Sequence, residues 1–373
     1  MNNKKLIAIC TNHEDDIYCF RKELIETLVN NGYNVLISCP YGEKLELMNH
    51  IRYVYDNPVI DRRGTNIVND YKLFRHYKKL FKKYRPAVVL TFTAKPNVYG
   101  GLACRKLKIP YIPSITGLGT AIENGGVLSK ILLFLYRKAL KKADKVFFQN
   151  ADNKDLFIKH NIVKGAYEIV PGSGVNLSTN TLEDYPTQSN ALMFITIGRI
   201  MKDKGIGELL DAAKILKQKH PDIRFKLVGG FDENYKGKVT KAEQEGIIEY
   251  LGVSNNIHDL IKTSHATIHP SYHEGMSNVL LESAACGRPV IASDVHGCRE
   301  TFDDGVSGIA FKPKSVDALV EAVEKFINLP YEEKKKMGLA GRKKVEKEFD
   351  RQIVVDAYLD GIKRIGDKQN GAL

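Results

Sequence analysis

Two glutamates eight positions apart, Glu274 and Glu282, have a spacing that allows chemistry. Glu274 ends the aromatic run ATIHPSYHE, and Glu282 lies in NVLLESAAC, a helix-like run stopped by Gly287-Arg288-Pro289. A Gly stop followed by Pro is a helix-end signal, and the helix would begin at Met276 or Ser277. Glu274 then stands before the helix and Glu282 one and a half to two turns into it. A helix N-terminus preceded by Gly275 exposes free N–H groups and a positive dipole end, which suit an anion such as a diphosphate. Each carboxylate can accept two hydroxyls of one sugar ring, so two separated acids can grip two sugars. The bland alternative is a surface helix acid and a first-turn acid.

A second element is GRIMKDKG (198–205), directly after the strand-like ALMFITI. Gly198 lets the chain turn at the strand end, and Arg199 and Lys204 then sit on a βα loop. Two cations there can neutralise a diphosphate and offset its charge as it leaves. Solvated loop cations are the alternative. A third element, LVGGFDEN (227–234), places Gly229 and Gly230 after a strand, where they permit close backbone approach or simply a tight turn.

These elements need strands and helices to hold them. The 373 residues suit two domains, and 43% hydrophobic content suits a soluble α/β protein. In the first half, KLIAIC, YNVLISC, AVVLTF, IPYIPSIT and DKVFFQN alternate with helical runs at Phe20–Asn31, 65–84, 97–107 and 127–142, and a short helix ends at His160. Continuous apolar strands separated by helices indicate parallel βαβ units. Residues 173–190 gather Pro, Gly, Ser and Asn and read as a linker. The βα pattern resumes over 191–350, and the last third reads as helices at 315–328, 331–348 and 350–365. The expected division is a domain at 1–172, a linker at 173–190, a domain at 191–350, and a C-terminal helix and tail at 351–373 packing back on the first domain. Ligands of such sheets bind outside the carboxyl ends of the strands, here in a cleft between the two domains.

Six cysteines without a CxxC pair favour reduced, buried thiols in a cytoplasmic protein. The start MNNKKLIAIC has no signal-peptide anatomy, and no apolar run approaches membrane-spanning length. No GxGxxG follows the first strand, which argues against an oxidoreductase.

Taken together, Gly-Arg-x4-Lys-Gly, the VGG turn and SYHEGMSNVLLESAACGRPVIASDVHGCRE resemble, in order and spacing, the retaining glycosyltransferases of family four, with the GT-B fold of two Rossmann-like domains. FRKELIETLVNNGYNVLI (20–37), TAKPNVYGGLACRKLKIPYIPSITGLG (93–119) and GGFDEN extend the resemblance to nearly the whole chain. More closely, the segments resemble the CapM/PglA-like bacterial subgroup, which extends glycans on undecaprenyl-diphosphate carriers. The resemblance implies that Arg199 and Lys204 bind the donor diphosphate, that Glu282 holds the ribose and that Glu274 contacts the transferred sugar. The backbone of Gly275, Met276, Ser277, Asn278 and Val279 would meet sugar and phosphates. The base would lie against Tyr250–Val253, with Leu251 and Val253 at its edge. No cofactor or metal is implied, and no DxD suited to a metal-bound diphosphate occurs: Asp15-Asp16 and Asp303-Asp304 are adjacent pairs.

Two departures concern the acceptor side. Many relatives carry a His where this chain has Thr116, next to Gly117. The first loop, CTNHEDD, lacks their glycine pair and offers Asn12 and His13 instead.

The net charge of +12 is uneven: residues 1–175 hold 28 Lys and Arg against 15 Asp and Glu, and the remainder 28 against 29. YKLFRHYKKLFKKYR (71–85) has seven cations and SKILLFLYRKALKK (129–142) five, both without an acid. Their apolar stripes pack on a sheet in one reading; in the other they form a face that rests on anionic lipid beside a lipid-linked acceptor. No nucleic-acid-binding module is recognisable. The combined expectation is transfer of an N-acetylhexosamine- or galactose-type sugar from a UDP-sugar to an undecaprenyl-diphosphate-linked saccharide, on the inner face of the cell membrane. The alternatives are a nucleotide-sugar 2-epimerase of the same fold and a non-catalytic sugar-binding subunit.

Overall fold

The computed structural model describes residues 5–62, 64–117, 125–188, 191–369 and 371. Leu118 and Gly119 of TGLG, and Ser189 and Asn190 of the expected linker, lie outside the described residues. The chain forms two compact units: one holds the chain through Ser173 and resumes at Gln352, and the other is Gly174–Arg351.

The first unit is built on a parallel sheet of β1 (Leu6–Cys10), β2 (Asn34–Ser38), β3 (Val54–Asp56), β4 (Val88–Phe92), β5 (Tyr111–Ile115), β6 (Val146–Phe148) and β7 (Tyr167–Ile169). Their order is β3-β2-β1-β4-β5-β6-β7. β4 and β5 are buried along their whole length, which is why VVLTF and YIPSI show little polar alternation. The helices are α1 (Glu14–Tyr18), α2 (Lys22–Asn30), α3 (Ile67–Tyr84), α4 (Gly101–Leu107), α5 (Gly126–Leu140) and α6 (Ala151–Lys159). Alternate strand residues face opposite ways. Ala8 and Cys10 pack with Leu73, Tyr77 and Phe81 of α3 and with Ala103 and Cys104 of α4. Ile7 and Ile9 pack with Leu24, Ile25 and Leu28 of α2.

The C-terminal helix, Arg351–Gln369, lies on the α2 side. Its Tyr358 ring meets Phe147 at 4.7 Å and Phe92 at 5.6 Å between centroids, and its hydroxyl shares a 2.6 Å hydrogen bond with Ser114 Oγ.

The second unit repeats the plan with β8 (Met193–Ile197), β9 (Arg224–Val228), β10 (Glu249–Tyr250), β11 (Ala266–His269), β12 (Val290–Ser293) and β13 (Gly308–Phe311), in the order β10-β9-β8-β11-β12-β13. Its helices are α7 (Ile206–Lys219), α8 (Lys236–Gln244), α9 (Ile257–Lys262), α10 (Asn278–Ala285), α11 (Val316–Ile327) and α12 (Tyr331–Glu348). In each sheet the chain winds outward through three strands, then returns to the middle and winds the other way. The reversal falls between β1 and β4 in the first sheet and between β8 and β11 in the second, which is where open α/β sheets bind ligands.

Two expectations are corrected. The run Phe20–Asn31 is a helix, α2, over Lys22–Asn30, but the supposed loop CTNHEDD before it runs into α1, started by His13. The stretch 174–188, expected as a linker, packs onto the second unit. Arg288, fully buried, donates to the carbonyls of Glu183 (3.2 Å), Asp184 (2.6 Å) and Lys262 (2.8 Å), and the Tyr185 hydroxyl donates to His265 O at 2.9 Å. A guanidinium from elsewhere satisfies the backbone that a Pro- and Ser-rich composition leaves without regular partners. The helices read at 315–328, 331–348 and 350–365 are α11, α12 and Arg351–Gln369, and β13 (GIAF), a four-residue strand that the pattern did not mark, precedes them.

Candidate active site

Of the sequence-predicted donor residues of the second unit, Gly198, Arg199 and Lys204 follow β8, Gly229 and Gly230 follow β9, Leu251 and Val253 follow β10, and Glu274–Val279 follow β11. β8 is followed by Gly198, whose N–H donates to Val228 O at 2.9 Å, so the first residue of one βα loop is tied to the last residue of β9. Gly229 has a φ of +145°, and a Cβ there would stand 1.8 Å from Gly198 O. Only glycine fits, which gives the Gly198–Gly229 crossing a steric reason. Gly230 is next to Val253, and Tyr250 donates its hydroxyl to Gly229 O at 2.8 Å while its ring lies 5.1 Å from that of Phe231. Leu251 is packed with Ile195, Val228 and Val279, whereas Val253 is largely exposed.

Arg199 and Lys204 both meet carboxylates. The Arg199 side chain is 54% exposed and pairs with Asp232. Lys204 ends a short 3-10 turn and pairs, more buried, with Glu274 Oε1. The same oxygen accepts from His269 Nε2 at 2.9 Å. Burial by itself would raise the Glu274 carboxyl, but Lys204 and His269 outweigh it and hold the group well below the usual carboxylate range. Glu274 is therefore a permanently ionised acceptor.

The Glu274–Ser277 turn is backed by Gly297 on the loop after β12. Ser277 N–H donates to Gly297 O at 2.7 Å, and at a φ of +78° a Cβ on Gly297 would come within 2.6 Å of Glu274 O. Ser277 is the N-cap of α10, yet its side chain makes no capping bond; its Oγ lies 3.2 Å from His269 Nε2. The first-turn N–H groups of α10 are thus left uncapped by that side chain, beside a positive dipole end. Met276 is buried with Leu281 and Phe349, and Asn278 Oδ1 is enclosed with no hydrogen-bond partner among the described residues. Glu282 is half-buried on α10, not a surface acid; desolvation pushes it up to about 7 against the opposing pull of Arg351.

The acceptor-side residues sit in the first unit, apart in sequence and unit from the donor set. Asn12 and His13 follow β1, and Thr116 and Gly117 follow β5. His13 Nδ1, at the N-cap of α1, lies 3.2 Å from Asp15 N and 3.1 Å from Asp15 Oδ2, and the carboxylate favours the protonated ring and raises its pKa. His13, Glu14 and Asp15 cluster closely, but Asp15 is already paired with Lys44 Nζ at 2.7 Å.

Sequence reasoning missed His269, Asp232 and Gly297. Asp232 lay in the quoted GGFDEN, but nothing there tied it to Arg199. His269 reads as one more strand residue, and only its position at the strand end before Pro270-Ser271 marks it.

Comparison with known proteins identifies the family. Residues 179–344 match the family described as "Glycosyl transferases group 1", and residues 7–150 match "Glycosyl transferase 4-like". The chain belongs to the group 1 glycosyltransferases. This glycosyltransferase is 26% identical over 363 residues, covering 92% of the chain and 94% of the relative, to the N,N'-diacetylbacillosaminyl-diphospho-undecaprenol alpha-1,3-N-acetylgalactosaminyltransferase of Campylobacter jejuni. It is 27% identical over 374 residues to the capsular polysaccharide biosynthesis glycosyltransferase CapM of Staphylococcus aureus, covering 95% of each. Among solved structures it is similar to sucrose-phosphate synthase from Thermosynechococcus elongatus, with a TM-score of 0.81 and 19% identity over 98% of this chain and 100% of that one. Anabaena HepE in complex with UDP and glucose gives 0.77 and 16% over 96% and 100%. The glycosyltransferase therefore has the GT-B fold, a parallel Rossmann-like sheet in each unit.

Proposed function

We propose that this glycosyltransferase moves a sugar of N-acetylhexosamine or galactose type from a UDP-sugar to an undecaprenyl-diphosphate-linked saccharide, retaining the anomeric configuration and using no metal. The second unit binds the donor and the first the acceptor. The observation that carries the reading is the ionised Glu274, held by Lys204 beside the uncapped start of α10, at the β8/β11 reversal. Lys204, Arg199 and the α10 N–H groups take the diphosphate. Glu274 accepts from the transferred sugar and Glu282 from the ribose. As the glycosidic bond breaks, charge gathers on the leaving diphosphate, and each cation offsets about 2–4 kcal/mol of the barrier. The undecaprenol-linked substrate named for the Campylobacter relative and the UDP named in the HepE structure support the choice of acceptor and donor.

The first unit meets the inner face of the membrane through α5 and α3. α5 exposes Val127 (76%), Leu128, Ile131 and Phe134 (52%), with Lys130, Arg137 and Lys138 on the same helix. α3 exposes Ile67, Val68 and Tyr71 at its start. On α5, exposed apolar side chains interleaved with cations, and no acid, fit an anionic lipid surface, each well-placed cation contributing about 1 kcal/mol; the one acid at the start of α3, Asp70, is paired with Lys95 at 2.7 Å. No helix among the described residues is long and apolar enough to cross a membrane.

The test is a nucleotide-release assay across UDP-, GDP- and ADP-sugars, with and without bacterial membrane extract, followed by NMR of the product. UDP release that requires the extract is the expected result. Interconversion of a UDP-sugar without acceptor would replace this reading with the epimerase.

A further inference from the structure

The end of β11 carries a buried imidazole that neither the sequence reading nor the donor assignment uses. His269 is 4% exposed and in register with Ala292 of β12. That neighbour is apolar, so packing against it would accept an aliphatic residue here. An imidazole buried at this point costs free energy unless its polar atoms are used. Its Nε2 is used: it lies 2.9 Å from Glu274 Oε1 and 3.2 Å from Ser277 Oγ. Against an ionised carboxylate Nε2 must carry the proton, so a single N–H serves the carboxylate and leans on the serine.

Glu274 Oε1 thus has two donors, Lys204 Nζ and His269 Nε2, of different standing. Under the proposed function Lys204 turns toward the donor diphosphate. The carboxylate would then lose its ion-pair partner inside a largely enclosed site, which is costly without a remaining donor. His269 is fixed in a strand and bound for no ligand.

We infer that His269 is a positioning residue for Glu274: its Nε2–H anchors Oε1 whether or not Lys204 is engaged elsewhere, so that Oε2 faces the transferred sugar. The side chain touches no substrate and acts only through the carboxylate, and the inference rests on the donor reading above for the sugar it serves.

The test uses the full chain and the variants His269→Leu, His269→Gln and Glu274→Gln. UDP, which lacks the transferred sugar, reads the rest of the donor site. UDP-N-acetylgalactosamine, UDP-N-acetylglucosamine, UDP-galactose and UDP-glucose read the sugar contact. His269→Leu is expected to bind UDP within about twofold of wild type yet to lose about 10–100-fold in kcat/KM with the best UDP-sugar, the scale of a misplaced contact group. His269→Gln, which keeps an N–H donor, should recover most of the loss. His269→Leu added to Glu274→Gln should cost little more than Glu274→Gln alone. Selective 15N-histidine spectra supply a readout without any donor: the His269 Nε2–H resonance should shift in Glu274→Gln. A wild-type rate in His269→Leu, parallel loss of UDP and sugar binding without rescue by Gln, or an unmoved Nε2–H resonance would each overturn the inference. If His269→Leu does not fold, the Gln variant and the spectra still decide it. Wild type that binds no UDP, with the Nε2–H coupling to Glu274 intact, would instead overturn the donor reading and leave the anchoring contact standing.

Discussion

In the second unit Arg199 and Lys204 each meet a carboxylate, Asp232 and Glu274. In the first unit residues 71–85 and 126–142 carry seven and five cations without one acid between them. Both sheets are wound alike, so the contrast lies in what is hung on them. Cations paired with acids near a strand reversal are held in place and released only to a ligand that outcompetes the carboxylate. Cations on segments that contain no acid and also show apolar side chains to solvent suit a broad, diffuse anionic surface. The first arrangement confers geometry; the second confers attraction that salt can screen.

The comparison can be broken most forcefully at Lys204. Lys204→Ala should reduce kcat by about 10²–10³-fold, the scale of one preorganised charge contact, while the melting temperature stays within a few degrees. A near-normal rate would remove the pocket from the mechanism. Next in size is the helix surface. Ile131→Ser with Phe134→Ser should weaken binding to vesicles rich in anionic lipid by about 10–100-fold, since each side chain, already half-buried, has about half of the roughly 1.5–3 kcal/mol of full burial left to gain. Turnover on a water-soluble acceptor analogue should be unchanged. Unaltered vesicle sedimentation would return α5 to an ordinary packing helix. Arg199→Ala should cost less than Lys204→Ala, about tenfold in kcat/KM, because its exposed pair with Asp232 is screened by solvent. Equal losses at both positions would show that exposure does not grade the two cations.

The smallest effect concerns the sign of a pH dependence. Glu282 is raised to about 7 by desolvation. A raised carboxyl favours the folded state while protonated, below its unfolded pKa, and that contribution is lost as pH rises through about 7. Glu282→Gln should therefore match wild-type stability at pH 4 and exceed it at pH 8 by about 1–3 kcal/mol. Thermal melts at the two pH values check this, and an equal gain at both would show that charge is not the cause.

Much of this was legible from residue pattern. Strands such as VVLTF and helices such as α3 follow from period and from Asn66, whose side chain caps α3 by accepting from Val68 and Asn69 N–H. Glu274 and the α10 N-terminus follow from the Gly and Pro signals around them. What escaped was set by partners distant in sequence. Residues 174–188 have linker composition, and only Arg288, about a hundred positions later, reveals that they are packed. β13 is too short and too flanked by turns to separate from the helices around it. His269 carries no periodic mark, because its significance lies in a carboxylate five residues on that a turn folds back toward it.

The C-terminal helix gives the molecule an unusual timetable. Val354, Val355, Tyr358, Leu359, Ile362 and Ile365 complete the apolar floor beneath β1 and β4, yet a ribosome adds them only after all of Gly174–Arg351. A nascent chain that has finished β7 still has that floor bare, and must keep it from sticking to other chains throughout the translation of an entire second sheet. Shortening the protein by its last twenty residues would strike not the part just made but the part made first.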